Sequence, residues 1–436
     1  MTSPSRGPTS GRQSLHALLV AALLAGACGG QVPGDDAPDP PVGDGGIGPL
    51  VSRASLDAVD LGPQQDEIVD LDPRLVHEIV ADVFARYAAL VAPSGARIHV
   101  LAQTGVPDAK IRRAREVLRL HLTDRAGSDA GASKADVANL AASRCGTLAL
   151  FTDSGSYDPT EARVARFDSD FGTAYVPLFA DRVVVEGTAD YVAPSPAWDQ
   201  TFGATAVLVH RHGLVPLRPT WETRLRAALA SALTDGTYLP FGPHPYRTVE
   251  EAYLGALLES HAGVWAHDPS GDGSAQFGVY AFGSRPALAA GDASTHALIE
   301  DFFSPVHAFD SVLDPTFAGE FELASEPGSP YTHRSQYLSR VTLSGSSIAA
   351  LLGSERSDVL TGNGASTAIE GRGGNDVIDG GGGVDAVVYQ APQAEFTLLP
   401  GAGGTTTVRH DVSPGLGQDV VRNIELLVFT DGVVQL

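Results

Sequence analysis

Residues 353–388 read GSERSDVLT-GNGASTAIE-GRGGNDVID-GGGGVDAVV, which is four nine-residue blocks laid end to end. A period kept without slippage over four units is the signature of a repeat. Each block opens with glycine and carries an apolar residue in its eighth place, namely Leu360, Ile369, Ile378 and Val387. The pattern predicts a turn and a short strand in every block, with the eighth side chain buried between stacked turns.

The sixth place of the blocks carries the polar chemistry of the repeat. Aspartate occupies this place in three blocks, and threonine occupies it in the block that begins at residue 362. A carboxylate is a hard oxygen ligand of the kind that Ca²⁺ prefers. Glycine allows a turn to adopt positive φ and to bring its carbonyl groups inward. We therefore predict a calcium site formed by Asp358, Gly371, Gly373, Asp376, Gly380, Gly382 and Asp385.

The segment resembles the RTX (hemolysin-type) calcium-binding repeats of secreted bacterial proteins, whose template is G-G-x-G-x-D-x-U-x. The resemblance implies a parallel β-roll that holds calcium between turns two blocks apart, so that ligands pair at eighteen-residue spacing. Asp358 and Asp376 form one such pair. Thr367 and Asp385 form the other, in which threonine predicts a weaker or empty site. One or two calcium ions are therefore expected.

The first block departs furthest from the template. Ser354 and Arg356 stand where glycines are usual, and Arg356 is expected to place a cation close to the metal. The alternative interpretation is a flexible linker rich in glycine and aspartate. A linker gives no reason for an apolar residue in every eighth place, so we favour a roll over residues 338–390.

Residues 391–436 are predicted to form a β-rich cap on the end of the roll. Their stretch NIELLVFTDG, residues 423–432, resembles the C-terminal cap that closes such rolls. A cap is physically useful, because the last turn would otherwise expose an unpaired strand edge and half of its apolar core.

The amino terminus predicts an export signal over residues 1–28. Two arginines precede a thirteen-residue run that is apolar but for one histidine, which is too short to span a bilayer. The run ends LAGAC at Cys28, which resembles a bacterial lipoprotein signal with Cys28 as the acylated residue. Glycine directly after this cysteine, at Gly29, resembles the sequence of lipoproteins that are sorted to an outer membrane. Plain secretory cleavage is the alternative. Residues 29–50 are rich in Gly, Pro and Asp and predict an extended, disordered tether.

The net charge of the chain limits the classes of molecule that it is expected to bind. A formal net charge of −23 argues against a nucleic-acid partner, because phosphate binding requires the opposite sign. The same acidity suits an exported protein that binds cations. Cys145 is the second of two cysteines, and no intrachain disulfide is expected if Cys28 is lipidated. We expect Cys145 to be a half-buried structural thiol.

Residues 51–337 predict one α/β or α+β body, so that the whole chain is a multidomain protein. The expected helices are 72–91, 107–122 with four arginines facing outward, 133–143, 199–212, 220–233, 248–262 and 295–303. The expected strands are 97–101 and 147–151, together with a strand-rich stretch over 171–192.

The body lacks the common hydrolase motifs. A zinc protease needs H-E-x-x-H, and the nearest match, HEIVA at residues 77–81, ends in alanine. The G-x-S-x-G pentapeptide of serine hydrolases is absent. The loop DPSGDG, residues 268–273, begins like an EF-hand, but Val279 stands where that motif requires glutamate, so we interpret the loop as a turn.

A histidine group offers the alternative chemistry. The helix 199–212 ends in His210 and His212, and the helix from residue 248 carries Glu251 and His261. This arrangement faintly resembles uncharacterised zincin-like secreted proteins that precede RTX tails, although Val207 replaces the glutamate base. Surface and helix-capping histidines explain the same pattern.

Two hypotheses from different classes follow. The favoured one is a non-enzymatic, calcium-stabilised surface lipoprotein, whose roll folds on binding Ca²⁺ and whose body is a scaffold or binding module. The second is a secreted metal-dependent hydrolase, active or lapsed, with a site near His210, His212 and Glu251.

Overall fold

The computed structural model describes residues 56–74, 76–155, 157–171, 175–240, 247–267, 272–413 and 415–436. The predicted signal with Cys28, the predicted tether 29–50 and residues 268–271 of the EF-hand-like loop lie outside these ranges. Among the described residues, no helix combines the length and the apolar character needed to cross a membrane.

The body is a mixed α/β unit built on one five-stranded sheet. Its strands are β1 (Val69–Asp70), β2 (Arg86–Val91), β3 (Arg97–Ala102), β4 (Thr147–Phe151) and β5 (Tyr175–Phe179). They lie side by side in chain order, antiparallel from β1 to β3 and parallel from β3 to β5. The central strands β3 and β4 are buried at every residue, as expected for a sheet covered on both faces.

Alternate residues of each central strand feed two separate cores. Leu148 and Leu150 of β4 belong to the larger cluster, whereas Ala149 and Phe151 belong to a smaller one on the other face. The helices are α1 (Glu78–Val83), α2 (Asp108–Leu122), α3 (Ala135–Ser143), α4 (Ala162–Phe171), α5 (Ala189–Val192), α6 (Thr201–Val209), a π-helical turn (His210–Leu214), α7 (Val215–Leu217), α8 (Pro219–Asp235), α9 (Val249–His261), α10 (Arg285–Gly291), α11 (Ala293–Phe302) and α12 (Thr332–Ser335). Of these, α2, α3 and α6 pack directly on the central strands.

Two of the predicted elements of the body are wrong. The helix predicted over 72–91 is only α1, because the residues that follow pair with β3 as strand β2. The apolar spacing that includes Tyr87 predicted a helix, but pairing with β3 places this residue in a strand. The Tyr87 hydroxyl lies 3.0 Å from His99 Nδ1 of β3. The stretch 171–192 holds one strand, β5, followed by the short helices 180–182 and α5, so Val183–Val185 are buried without forming a strand.

The arginines of α2 do not all face solvent, contrary to prediction. Arg113 and Arg115 are buried. The Arg113 guanidinium lies 3.0 Å from Glu186 Oε1 and 2.8 Å from Asp199 Oδ2, and both carboxylates are buried as well. Helical periodicity predicts which apolar residues are buried. It cannot predict that Arg113 is buried, because this depends on Glu186 and Asp199, which are distant in sequence.

The C-terminal two-sheet region, residues 311–436, consists of two sheets whose middle strands are parallel. Its strands are β6 (Ser311–Val312), β7 (Gly319–Glu322), β8 (Arg340–Thr342), β9 (Ala349–Leu352), β10 (Val359–Thr361), β11 (Thr367–Glu370), β12 (Val377–Asp379), β13 (Ala386–Val388), β14 (Phe396–Pro400), β15 (Thr405–His410), β16 (Gln418–Arg422), β17 (Leu426–Phe429) and β18 (Gly432–Gln435). The sheet orders are β14-β15-β16-β12-β10-β8-β6 and β18-β17-β13-β11-β9-β7.

Each nine-residue block contributes one strand, and successive strands alternate between the two sheets. Leu360 therefore pairs with Ile378 in one sheet, and Ile369 pairs with Val387 in the other, at eighteen-residue spacing. All four of these eighth-place side chains are fully buried. The apolar residue of every block thus forms a continuous core between the sheets.

The two sheets extend beyond the repeat in both directions. Strands β6 and β7 join them upstream of residue 338, the predicted start of the roll. Downstream, β16 and β17 continue the parallel pairing, and the hairpin partners β15 and β18 turn antiparallel at the end. Phe321 of β7 is as deeply buried as the repeat core, although its segment lacks the glycine pattern.

Candidate metal centre

Three aspartates form a ladder across the neighbouring strands β10, β12 and β16 of the seven-stranded sheet. The Asp358 amide donates a hydrogen bond of 2.9 Å to Asp376 Oδ1, and the Asp376 amide donates one of 3.0 Å to Asp419 Oδ1. Each carboxylate therefore accepts from the equivalent residue of the preceding turn. We name Asp358, Asp376 and Asp419 the first carboxylate ladder.

A second ladder runs along the other sheet. The Thr367 amide donates to Asp385 Oδ1 at 2.7 Å, and the Asp385 amide donates to Glu425 Oε2 at 2.7 Å. The Thr367 hydroxyl donates to the Ala365 carbonyl at 3.1 Å instead of presenting a carboxylate. The second ladder thus has one acidic group fewer than the first, as the threonine in the repeat predicted.

Three carboxylate oxygens of the ladders are buried without a hydrogen-bond partner: Asp358 Oδ1, Asp376 Oδ2 and Asp385 Oδ2. The three side chains are each 1% exposed. Burial of an ionised carboxylate without compensation is costly, and such groups are normally paired or bound to metal. These oxygens are therefore positioned to accept a cation.

Burial also shifts the protonation of the first ladder. Burial, together with the charges of Asp419 and Asp358, raises the pKa of the Asp376 carboxyl to about 8, against the opposing effect of the hydrogen bond from the Asp358 amide. Burial likewise raises the pKa of Asp419 to about 6. It also raises the pKa values of Asp358 and Asp385. A bound proton or a bound cation would each relieve the same buried charge.

Two of the four predicted site glycines, Gly371 and Gly380, lie against these carboxylates. A Cβ added to Gly371 would collide with Asp376 Oδ2, and one added to Gly380 would meet Asp385 Oδ2 at 2.7 Å. A Cβ on Gly373 would meet the Glu355 carboxylate at 2.5 Å, whereas Gly382 lies no closer than 3.7 Å to the backbone of the neighbouring turn. The glycines at the first place of these blocks therefore leave the space that the aspartate side chains occupy.

The first block is held by other contacts. The Ser354 amide and hydroxyl donate to Asp358 Oδ2 at 2.7 and 2.9 Å. The guanidinium of Arg356 donates to the carbonyl groups of Gln336 and Leu338, at 2.7 and 3.0 Å. The hydrogen-bonding nitrogen of Arg356 thus contacts main-chain carbonyl groups.

Asp419 and Glu425 were not among the predicted site residues. The signal was present in the sequence, because Asp419-Val420-Val421 and Glu425-Leu426-Leu427 repeat the spacing of an acid two residues before a buried apolar residue. Gly415 and Gly417 also precede Asp419 at the spacing seen in the blocks. Residues 389–413 separate this unit from the fourth block, and no glycines directly precede Glu425, so an uninterrupted nine-residue period does not reveal the two acids.

In the predicted histidine site of the body, His210 and Glu251 contact different partners. His210 Nε2 lies 2.7 Å from Glu222 Oε2. Glu251 caps α9 and forms a bidentate ion pair with Arg211, with both hydrogen bonds at 2.8 Å. Within the described residues, one group of three His, Cys, Asp or Glu side chains brings its ligand atoms close enough together to hold a metal ion. That group does not include His210, His212 or Glu251.

Cys145 is 7% exposed and lies in a positive-φ turn between α3 and β4. It is therefore more deeply buried than the half-buried position that the sequence predicted.

Comparisons with known proteins identify no family for this chain. It matches no family model and no curated protein. Among solved structures it is similar to the extracellular lipase LipA from Serratia marcescens, at 21% identity over 20% of this chain, with a TM-score of 0.12. The similarity spans 15% of the lipase, and at this TM-score it supports no inference about fold or activity.

Proposed function

We propose that this chain is an exported calcium-binding protein whose C-terminal two-sheet region completes its folding when Ca²⁺ binds. The observation that supports this proposal is the set of buried, unpartnered carboxylate oxygens on Asp358, Asp376 and Asp385. The residue types fit a hard cation, since Ca²⁺ takes oxygen ligands from carboxylates and main-chain carbonyl groups. The eighteen-residue pairing of the ladders agrees with the arrangement that the RTX resemblance implies.

Coupled binding and folding follows from the charge of the ladders. Without a cation, folding must bury these carboxylates either charged or at the cost of binding protons, while the glycine-rich turns lose backbone entropy on ordering. Ca²⁺ would neutralise the carboxylates, and its binding free energy would add to the folding free energy. Because the aspartates form ladders and do not converge on one point, carbonyl oxygens of the turns would complete the coordination. Modules of this extracellular type bind Ca²⁺ at about 10⁻⁴ to 10⁻³ M.

Calcium binding to the full chain tests the proposal directly. Equilibrium dialysis after EGTA treatment should show one or two ions bound, with a higher melting temperature in Ca²⁺ than in EGTA. Asp376→Asn should weaken binding at the first ladder, whereas Asp310→Asn should leave binding unchanged. Asp310 is a suitable control because it is an exposed aspartate directly before β6 and forms an ion pair of 2.7 Å with Arg340. A chain that retains no Ca²⁺, or that melts identically in EGTA, would overturn the proposal.

The export signal supports a location outside the cytoplasm. We propose that Cys28 is lipidated and anchors the protein to an outer membrane or cell surface, with plain secretion as the alternative. A sulfur that carries a thioether-linked lipid cannot also form a disulfide, so lipidated Cys28 and a Cys28–Cys145 bridge exclude each other. The mass of the mature chain before and after reduction distinguishes these two states.

The hydrolase considered for His210, His212 and Glu251 is not proposed. The carboxylate of Glu251 is engaged by Arg211 and by the capping of α9, and His210 is engaged by Glu222. No observation favours a shared ion at these residues.

A further inference from the structure

Three side chains of the body bring metal-ligating atoms together at the ends of two helices. His261 is the last residue of α9, and His296 and Glu300 lie one turn apart on α11. One ligand atom from each residue lies within 4.8 Å of the others. The i,i+4 spacing places His296 and Glu300 on one face of α11, where they meet His261.

The distances match those that a tetrahedral ion imposes on its ligands. His261 Nε2 and His296 Nε2 each lie 3.3 Å from the same oxygen, Glu300 Oε1. Zinc bonds of about 2.0–2.2 Å in tetrahedral geometry separate neighbouring ligand atoms by roughly 3.3–3.6 Å. Two of the three separations therefore already fit, and the third, between the two imidazoles, is no more than 4.8 Å.

The surroundings hold the ligands in place and leave a route for an ion. The guanidinium of Arg125 lies 3.5 Å from Glu300 Oε2, which turns Oε1 towards the imidazoles. Arg285 Nε donates to the His261 carbonyl at 2.7 Å and so fixes the end of α9. The His261 side chain is 1% exposed, whereas those of His296 and Glu300 are 22% and 24% exposed, so the cluster opens to solvent on the α11 side.

We propose that His261, His296 and Glu300 form a binding site for a divalent transition-metal ion of the zinc class. The donor set of two imidazoles and one carboxylate selects this class, because imidazole suits Zn²⁺, Cu²⁺ and Ni²⁺. A single carboxylate is a poor site for Ca²⁺, which takes six to eight oxygen ligands. Three protein ligands leave a fourth tetrahedral position for water. The site is separate from the carboxylate ladders and does not depend on them.

Zinc binding to the full, untagged chain tests the proposal in saturating Ca²⁺, which keeps the carboxylate ladders occupied. Equilibrium dialysis against Zn²⁺ should give one bound ion, and Co²⁺ in its place should give the visible absorption of tetrahedral coordination. His296→Gln and Glu300→Gln should each weaken Zn²⁺ binding by more than about tenfold and abolish the Co²⁺ bands. Both replaced residues are partly exposed, so circular dichroism and the melting temperature should show that the variants remain folded.

The matched control is His410→Gln. His410 Nε2 lies 3.1 Å from Glu395 Oε2, which is a similar histidine–carboxylate contact without a second imidazole. This variant should bind Zn²⁺ as the parent chain does. The proposal is overturned if the parent chain binds no Zn²⁺ in saturating Ca²⁺, or if the His296 and Glu300 variants both bind it with unchanged affinity.

Discussion

The backbone amide of Asp358 donates a 2.9 Å hydrogen bond to the side chain of Asp376, eighteen residues further along the chain. One oxygen of Asp376 therefore helps to join two turns, while the other is buried without a partner. The same side chain has a structural contact and a candidate ligand atom. Substitutions that preserve one role and remove the other can separate them.

Asp376→Asn and Asp376→Ala should differ in the absence of calcium. Asparagine keeps an acceptor for the Asp358 amide and removes the buried charge, so we expect the variant to melt in EGTA at or above the temperature of the parent chain. Alanine leaves that buried amide without its partner, which costs about 1–3 kcal/mol. Both variants should lose most of the increase in melting temperature on adding Ca²⁺. Thermal melts in EGTA and in Ca²⁺ provide the measurement, and a full Ca²⁺ response in Asp376→Asn would contradict the assigned ligand.

Gly374→Ala should destabilise the two-sheet region. Gly374 has φ +112°, and an added Cβ would collide with the Arg356 carbonyl of the turn stacked against it. A non-glycine residue held in such a conformation costs on the order of 1–3 kcal/mol, before the collision is counted. Gly364→Ala is the control, because no atom lies within 4 Å of its added Cβ. Equal melting temperatures of the two variants would show that the turns do not stack as described.

Arg113→Met should destabilise the body far more than Arg112→Met on the same helix. Arg113 is buried between Glu186 and Asp199, so its removal leaves two buried carboxylates without their counter-charge. Breaking a buried pair in this way costs about 3–5 kcal/mol. Arg112 is exposed, and its replacement should change stability by less than about 0.5 kcal/mol. Urea unfolding measures both values, and a small effect of Arg113→Met would disprove the pairing.

Lys134 should make the stability of the body rise with pH above neutrality. Its ammonium nitrogen donates to the His121 carbonyl at 3.0 Å, and burial lowers its pKa from 10.5 to about 7. Between these two values the unfolded chain binds a proton that the folded chain has released, so raising the pH favours folding. The gain is at most about 1.4 kcal/mol for each pH unit.

Lys134→Met removes this titration. Its stability should therefore change less between pH 7 and pH 9 than that of the parent chain, as measured by urea unfolding at both pH values. An identical pH dependence in the two proteins would show that Lys134 does not titrate in this range.

Local sequence patterns predicted correctly those elements whose structure depends on residues close together in the chain. The apolar eighth places of residues 353–388 predicted a short strand with a buried side chain in every block, and the apolar stretch at 147–151 predicted strand β4 with its observed bounds. The helix α9 also followed from local chemistry, because Thr248 and Glu251 form a capping box at its start. In each case, turn chemistry or spacing within one element carries the information.

The sequence alone therefore determined the repeat, its eighteen-residue register and the aspartates that follow that register, because a parallel stack converts chain spacing directly into spatial neighbours. Only the tertiary structure decided that Arg113 is buried between two carboxylates and that His261 meets His296 and Glu300. These contacts join residues that lie 35 or more positions apart with no periodic relation. Long-range packing of helices and strands brings such residues together, and no local pattern in the chain encodes that meeting.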